Sequence, residues 1–568
     1  MAFSVGIDLG TTNTVVSTAR RGSNSDIVVT TELIDQLVGD DFESESSPLL
    51  PSVLYVDREG KHNVGIYAKK MKGQVINRVI FNSKSYIGQN NYKWMIDDKE
   101  YTPVITASYF LSMVRNHLMD KYNDEESIES AVITVPASFN LDQRSSTEAA
   151  AKLAGFKGKV TLISEPTAAV LDFINEQSKF ADSDKAVDLS DFKKIAVFDL
   201  GGGTCDVSIL KIKVEGKKAY VEESAVSPHT LIGGSNFDAY AVQGMIKDYE
   251  RENKISLKDV LSHDELVMLN NKLNVRVEKA KIAFAGKIFQ YISNGKSVEE
   301  AEKEISIPIK INNAVNDEPF SCILTMERYN QYINSLLDEE ASENVISPIT
   351  STLSSNNLSI DDIDYVFCVG GMTKYPKVNE TIKKYFNKEP LKLVDSMHAV
   401  SRGAAIYHYY DIEQIQSKPT GDEVPGPKTI SIIPKLPQTI FLNVKNGFPI
   451  PLIEANTKAG TPVIHENLIE VTSEIGVSLE IYSGMKFSDP QLKKLQNLKL
   501  DFPFGIELGS KISLKLEYTE AGLLFFEAWV AGREDIKIEA SIEGLNLDES
   551  EVEKINKEYG IGDVKGLL

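Results

Sequence analysis

Along the first 410 residues, short β-branched runs alternate with stretches whose apolar positions recur every three to four residues. "AVITVP" (131–136) reads as a strand. The following "SFNLDQRSSTEAAAKLAGF" reads as an alanine-rich helix that Asn140 or Asp142 can cap and Gly155 can end. "KKIAVFDLGGGTCDVSILKI" (193–212) reads as strand, glycine turn, strand, and "YVFCVGG" (365–371) as a strand running into glycines. Such alternation predicts an α/β fold with sheets covered by helices. The polar stretch 176–192 reads as a surface loop.

The pattern changes at 417–428. "SKPTGDEVPGPK" has the proline- and glycine-rich composition of a semi-rigid linker. Beyond it come six short alternating runs: "TIFLNV", "LIEVTS", "VSLEIYSG", "KISLKLEY", "LLFFEAWV" and "IKIEASI". Separated by turn signals, they predict an antiparallel β-sandwich. "NLDESEVEKINKEYG" (546–560) reads as one short helix. The expected organisation is an α/β domain over 1–410, a linker over 411–428, a β-sandwich over 429–543 and a helical tail over 544–568.

Composition narrows this only a little. A chain of 568 residues is too long for one core, so several domains are expected. The net charge of −21 argues against a broad surface for nucleic acid or anionic membrane. "MAFSVGID" lacks the segments of a signal peptide, and no apolar run reaches the roughly 18 residues of a membrane span. Cys205, Cys322 and Cys368 have neither disulfide-framework nor metal-ligand spacing. A cytoplasmic protein is expected.

The candidate chemistry sits at two turns. "VGIDLGTTNT" (5–14) and "AVFDLGGGTC" (196–205) share an apolar strand, Asp-Leu-Gly, then glycines or hydroxyls. The repeat suggests two similar lobes that face each other. Each turn offers backbone N–H groups with hydroxyls beside them, which suits a phosphate. Asp8 and Asp199, at the strand exits, suit a hydrated Mg²⁺. The alternative is two ordinary hairpins, which a matched pair makes a poorer account.

Six ordered motifs carry a resemblance: "IDLGTT" near the start, "VPASFNLDQR" (135–144), "SEPTAAV" (164–170), "DLGGGTCDVS" (199–208), "LIGGSNFD" (231–238) and "VGGMTKYPKV" (369–378). Together they resemble the DnaK, or heat-shock-70, chaperone family over essentially residues 1–408. The resemblance implies a two-lobed, actin-like (ribonuclease-H-like, duplicated) nucleotide-binding domain followed by an all-β peptide-binding sandwich. It also implies ATP/ADP and Mg²⁺ as ligands, and slow ATP hydrolysis.

Residue by residue, it implies that Asp8, Gly10, Thr11, Thr12 and Asn13 line one phosphate turn and Gly201, Gly202, Gly203 and Thr204 the other. Gly233, Gly234, Gly370 and Gly371 complete the nucleotide site. Lys84 matches the lysine that reaches the γ-phosphate and the attacking water. Glu165 matches an acid of the Mg²⁺ water shell, shared with Asp8 and Asp199, and Asp206 an acid beside the nucleophile. The catalytic set is thus Lys84, Glu165, Asp199, Thr204 and Asp206. Phosphoryl transfer to water needs such positioning and charge neutralisation more than covalent chemistry. Pro136 and Arg144 match residues that relay the nucleotide state to the domain interface.

The chain departs from the family at the adenosine end. Glu278 and Lys281 match ribose-binding residues, but the family's adenine-stacking arginine is Ile282 and a base-bonding serine is Ala285. The opposing arginine is Lys374, with Met372 in place of a serine. Cationic stacking contributes about 0.5–2 kcal/mol per contact, so nucleotide affinity is expected to fall roughly 2–30-fold. Apolar Ile282 and Met372 still offer contact. "KPTGDEVPGPK" lacks the apolar linker run that docks on the first domain in relatives. Thr161 replaces an arginine that contacts J-domain partners, so a J-protein is not expected to stimulate this chain.

In the sandwich, Leu442, Val444, Val477 and Leu479 are candidates to hold an extended peptide, or are plain core. The family's helical lid of about a hundred residues is represented only by 544–568, which implies fast peptide release. Expected partners are extended polypeptide clients, other chaperones and a nucleotide-exchange factor, with the protein a monomer. Two other readings stay open: a non-cycling scaffolding partner that binds ATP, and an actin-like small-molecule kinase or filament-former.

Overall fold

The structure, a computed structural model, describes residues 3–563 apart from 23–26, 40–42, 90, 181–186, 217, 228–229, 392–394, 417–428, 444–448, 472–476, 485, 489–491, 501–506, 520–521, 523 and 543–546. Two sheets organise the first domain. In the first lobe, Ser4–Leu9, Asn13–Arg21 and Ile27–Thr31 form an antiparallel meander. Ala131–Val135 and then Val160–Ser164 add in parallel on its other side. In the second lobe, Lys193–Leu200, Cys205–Glu215 and Lys218–Val226 form the meander, and Tyr365–Val369 adds in parallel. Over four strands, the meander and the first parallel strand beside it, order and direction match between the two lobes.

Helices Glu165–Gln177 and Ala399–Gln416 join the lobes. One buried cluster takes Val132 and Ile163 from the first sheet, Val197 and Phe367 from the second, and Ala168 and Ala404 from the two helices. The small residues are needed for this approach. A Cβ on Gly6 would lie 2.1 Å from the Ala405 nitrogen, and one on Gly403 would lie 1.7 Å from the Ala168 carbonyl oxygen. The helix expected after "AVITVP" runs from Leu141 to Leu153. Asn140 is its cap, in a reciprocal capping box with Gln143. Gly155 follows at φ +94°, a left-handed position that favours glycine.

The sandwich has two four-stranded antiparallel sheets. One holds Thr439–Asn443, Ile450–Ile453, Val477–Gly484 and Lys493–Leu500; the other holds Val463–Glu470, Lys511–Tyr518, Leu524–Val530 and Arg533–Ile542. Ile450–Ile453, with Pro451 inside it, is an edge strand, where a missing N–H is tolerated. Ile440, Leu452, Ile481, Leu514 and Phe526 fill the core between the sheets, and Leu141 of the first domain inserts among them.

Three expectations are corrected. The linker's first six residues, 411–416, are the end of the Ala399–Gln416 helix, and 417–428 lie outside the described residues. The polar stretch 176–192 is not all surface loop: the helix reaches Gln177, and Val187 and Leu189 are buried between the lobes as apolar anchors. Lastly, Thr429–Ile433 does not join the sandwich. It extends the second-lobe sheet in parallel with Lys218–Val226, with Ile430 and Ile432 packed against the inter-lobe core. The apolar docking segment denied to "KPTGDEVPGPK" is supplied by "TISII" immediately after it.

The tail helix, Glu549–Tyr559, has a capping box between Asp548 and Glu551 and ends at Gly560 in a left-handed conformation. It packs on the first lobe. The Tyr109 hydroxyl donates to the Tyr559 carbonyl at 2.6 Å, the Tyr559 hydroxyl to the Glu100 carbonyl at 2.7 Å, and the Ser112 hydroxyl to the Ile561 carbonyl at 2.8 Å. Ile561 is fully buried there. Among the described residues no helix is long and apolar enough to cross a membrane.

Candidate nucleotide site

The two glycine turns meet face to face. A Cβ on Gly202 would fall 1.7 Å from Thr12 Oγ1, and one on Gly203 would fall 2.8 Å from Thr11 Cγ2. Each turn is braced from behind. The Ser52 hydroxyl donates to the Gly10 carbonyl at 2.8 Å, and Ser52 N–H donates to the Thr12 carbonyl at 2.8 Å. Gly234 and Ser235, opening helix Gly234–Asn253, donate their N–H groups to Gly201 and Gly202 at 3.0 and 2.8 Å. A Cβ on Gly233 would collide with the Gly203 backbone at 2.4 Å. Gly370, at φ +83°, lies against Asp199 and Leu200, whereas Gly371 has open space beside it.

Acids from both lobes converge behind the turns. Asp8 and Asp199 end equivalent strands, and Asp199 pairs with Asp206 across the second hairpin. Glu165 opens its helix, where the dipole favours a negative charge. Lys84, on a short 3₁₀ turn at Ser83–Tyr86, is buried and donates to Glu165 at 2.5 Å. Burial and the Glu165 carboxylate push the Asp8 carboxyl up to about 7, against the pull of Lys84. Burial, then Glu165, Asp206 and Asp8, raises Asp199 well above the carboxylate range. Lys84 is also raised, which for a lysine favours the charged form. Burial opposes its charge, but Glu165, Asp8 and Asp199 outweigh that and hold the ammonium above its ordinary value. Glu165, Asp8 and Asp199 thus crowd one lysine, and a divalent cation near them would favour their charged forms. Among the described residues no three acid, imidazole or thiol groups converge on a point as direct ligands.

At the adenosine end the placements are mixed. Glu278 pairs at 2.8 Å with Lys69 of the first lobe, an ion pair between the two lobes. Lys281 pairs with Asp238 at 2.8 Å and donates to the Gly234 carbonyl at 3.1 Å. Ile282 is 63% exposed. Met372 is 5% exposed and buried in the second-lobe core, so only Ile282 offers the open apolar contact expected of both. Lys374 stands 3.8 Å from Asp395, whose carboxyl a hydrogen bond from His398 draws down to about 2.

Arg144 is buried where the first domain meets the sandwich, donating from Nε to the Phe139 carbonyl at 3.1 Å. Pro136 lies at the start of the same loop. Leu442 and Leu479 are sandwich core and Val477 packs on it, so the plain-core alternative describes their placement; Val444 lies outside the described residues. Sequence reasoning missed Ser138, which donates to Asp206 at 3.0 Å, and Thr134, 3.4 Å from Asp8. Both lie within or just before the "VPASFN" motif, which was the available signal.

Comparison with known proteins agrees with this geometry. The family model described as "Hsp70 protein" matches residues 4–558. "Chaperone protein DnaK" of Thermotoga petrophila and that of Thermotoga maritima are each 31% identical over 485 residues, covering 85% of this chain and 70% of the relative. The protein of that name from Thermosipho melanesiensis is 30% identical over 486 residues, with the same coverage. The matched span runs from the first glycine turn through the sandwich to the tail helix, and on it the chain belongs to the Hsp70 family.

Proposed function

We propose that this protein is an ATP-binding chaperone of the heat-shock-70 type that hydrolyses ATP slowly and holds extended apolar segments of clients weakly. The observation that carries the reading is the contact between the two glycine turns, with Lys84 and the four acids gathered behind them. The matching order of the two sheets supports an actin-like duplicated nucleotide domain. In this reading the turn N–H groups and threonine hydroxyls cradle the phosphates, and Lys84 steadies the γ-phosphate. Asp199, Thr204 and Asp206 orient the attacking water. Asp8, Glu165 and Asp199 would hold a hydrated Mg²⁺, which when bound neutralises phosphate charge. The replacements at Ile282 and Lys374 weaken nucleotide affinity without removing it. Client release is fast, because the helix after the sandwich is engaged by the first lobe.

Single-turnover hydrolysis of ATP–Mg²⁺ tests the reading. Lys84→Ala should slow it about 10²-fold. Equal rates in the two proteins would favour a scaffolding partner that binds ATP without cycling, a reading to which the docking of sandwich and tail on the first domain also lends itself. Calorimetry with no heat at millimolar ATP–Mg²⁺ would overturn both readings.

A further inference from the structure

The loop over 136–140 touches the chemistry on one side and the sandwich on the other. The Ser138 hydroxyl donates to Asp206 Oδ1 at 3.0 Å, and the two residues are 8% and 6% exposed. The next ring, Phe139, has Lys84 Nζ 5.7 Å from its centroid. The same loop leads into the helix whose first residue, Leu141, is buried in the sandwich core, and Phe139, Leu141 and Arg144 face Leu436, Ile440 and Tyr518 across the domain contact. A Cβ on Gly522 of the sandwich would lie 3.5 Å from Arg144 Cδ.

We propose that Ser138 is a positioning residue for hydrolysis, fixing the Asp206 carboxylate from a loop whose place is set by the docked sandwich. This rests on the reading of Asp206 as an acid that orients the attacking water. A buried hydroxyl donating to one carboxylate oxygen is a charge-assisted hydrogen bond, and it fixes the plane of the carboxylate. The serine side chain has a single rotor before its oxygen, so the hydroxyl follows the loop backbone closely. Misplacement of a reacting group by about 1 Å can cost on the order of 10²-fold in rate. Small shifts of the loop against the sandwich therefore reach the water-orienting acid through one short side chain.

The test compares wild type with Ser138→Ala, Ser138→Thr and Ser138→Cys. It measures three quantities: ATP–Mg²⁺ affinity by calorimetry, single-turnover hydrolysis at saturating ATP, and capture of ADP with aluminium fluoride, which mimics the transferring phosphoryl group. Ser138→Ala should leave ATP affinity within twofold, slow hydrolysis about 10-fold and weaken capture by a similar factor. Ser138→Thr, which keeps the hydroxyl, should recover most of both. Ser138→Cys, a weaker donor of similar size, should fall between, and it carries the test if the alanine variant does not fold. Leu141→Asn, which loosens the loop from the sandwich, should slow wild type but add little in the Ser138→Ala background.

Hydrolysis and capture unchanged in Ser138→Ala, or no recovery in Ser138→Thr, would overturn the inference while leaving the hydrolytic reading intact. A wild type that neither hydrolyses ATP nor captures aluminium fluoride would overturn the hydrolytic reading and this inference with it.

Discussion

Replacing Asp8 by asparagine should stabilise the nucleotide-free protein at pH 8, and by about half as much at pH 5.5. Asp8 titrates near 3.8 in an unstructured chain and at about 7 in the fold, where burial and Glu165 oppose its charge. The folded form therefore holds that proton more tightly than the unfolded chain. Stability falls as pH rises from about 4 to about 7, and the penalty is absent below that window. About three units at 1.36 kcal/mol each set a ceiling of ~4 kcal/mol. Asp199 shares the burden, so about half of it is expected for one substitution. For a domain of some 400 residues, ~2 kcal/mol corresponds to a rise in Tm of about 2–3 °C. Asparagine keeps the shape and the oxygen that faces Thr134. Scanning calorimetry without nucleotide at the two pH values reads the difference, and ATP–Mg²⁺ should then reverse the order by stabilising wild type more. An Asp8→Asn protein no more stable than wild type at pH 8 would refute the charge-repulsion argument.

Gly201→Ala should retain nucleotide-free stability, since its Cβ would meet nothing nearer than 3.9 Å. Gly202→Ala, 1.7 Å from Thr12 Oγ1, should part the turns and weaken ATP binding more than tenfold in calorimetry. Lys69→Ala removes a partly exposed pair across the cleft worth about 0.5–1 kcal/mol, so release of a fluorescent ADP in stopped flow should quicken about 2–5-fold. Ile432→Asp places a charge against the inter-lobe core at a cost of ~2 kcal/mol or more, and limited proteolysis after residue 416 should accelerate severalfold.

What was legible in the sequence is what local chemistry decides. Asn140 three residues before Gln143 announces a capped helix, and Asp548 before Glu551 does the same for the tail. The paired Asp-Leu-Gly turns lie on the strand exits where their order placed them. Long-range allegiance was not legible. "TISII" is a strand by composition, but five apolar residues do not say which of two sheets they will join. Ile450–Ile453 is short and interrupted by proline, and so escaped the alternation pattern. Met372 sits one residue from two glycines of a binding motif, yet its side chain turns into the core. Ser138 bonds to an acid 68 residues away, a pairing visible only once the hairpin folds back.

The sandwich is held at both ends: through Thr429–Ile433 it is sewn to one lobe's sheet, and through Glu549–Tyr559 and Ile561 it is buttoned to the other. A rigid brace fixed to both jaws of a clamp cannot stay seated on both when the jaws swing. Any wide opening of the lobes must stretch the brace, unfasten one end or bend the β-layers themselves, so the seating of the sandwich and the gape of the cleft share one mechanical degree of freedom.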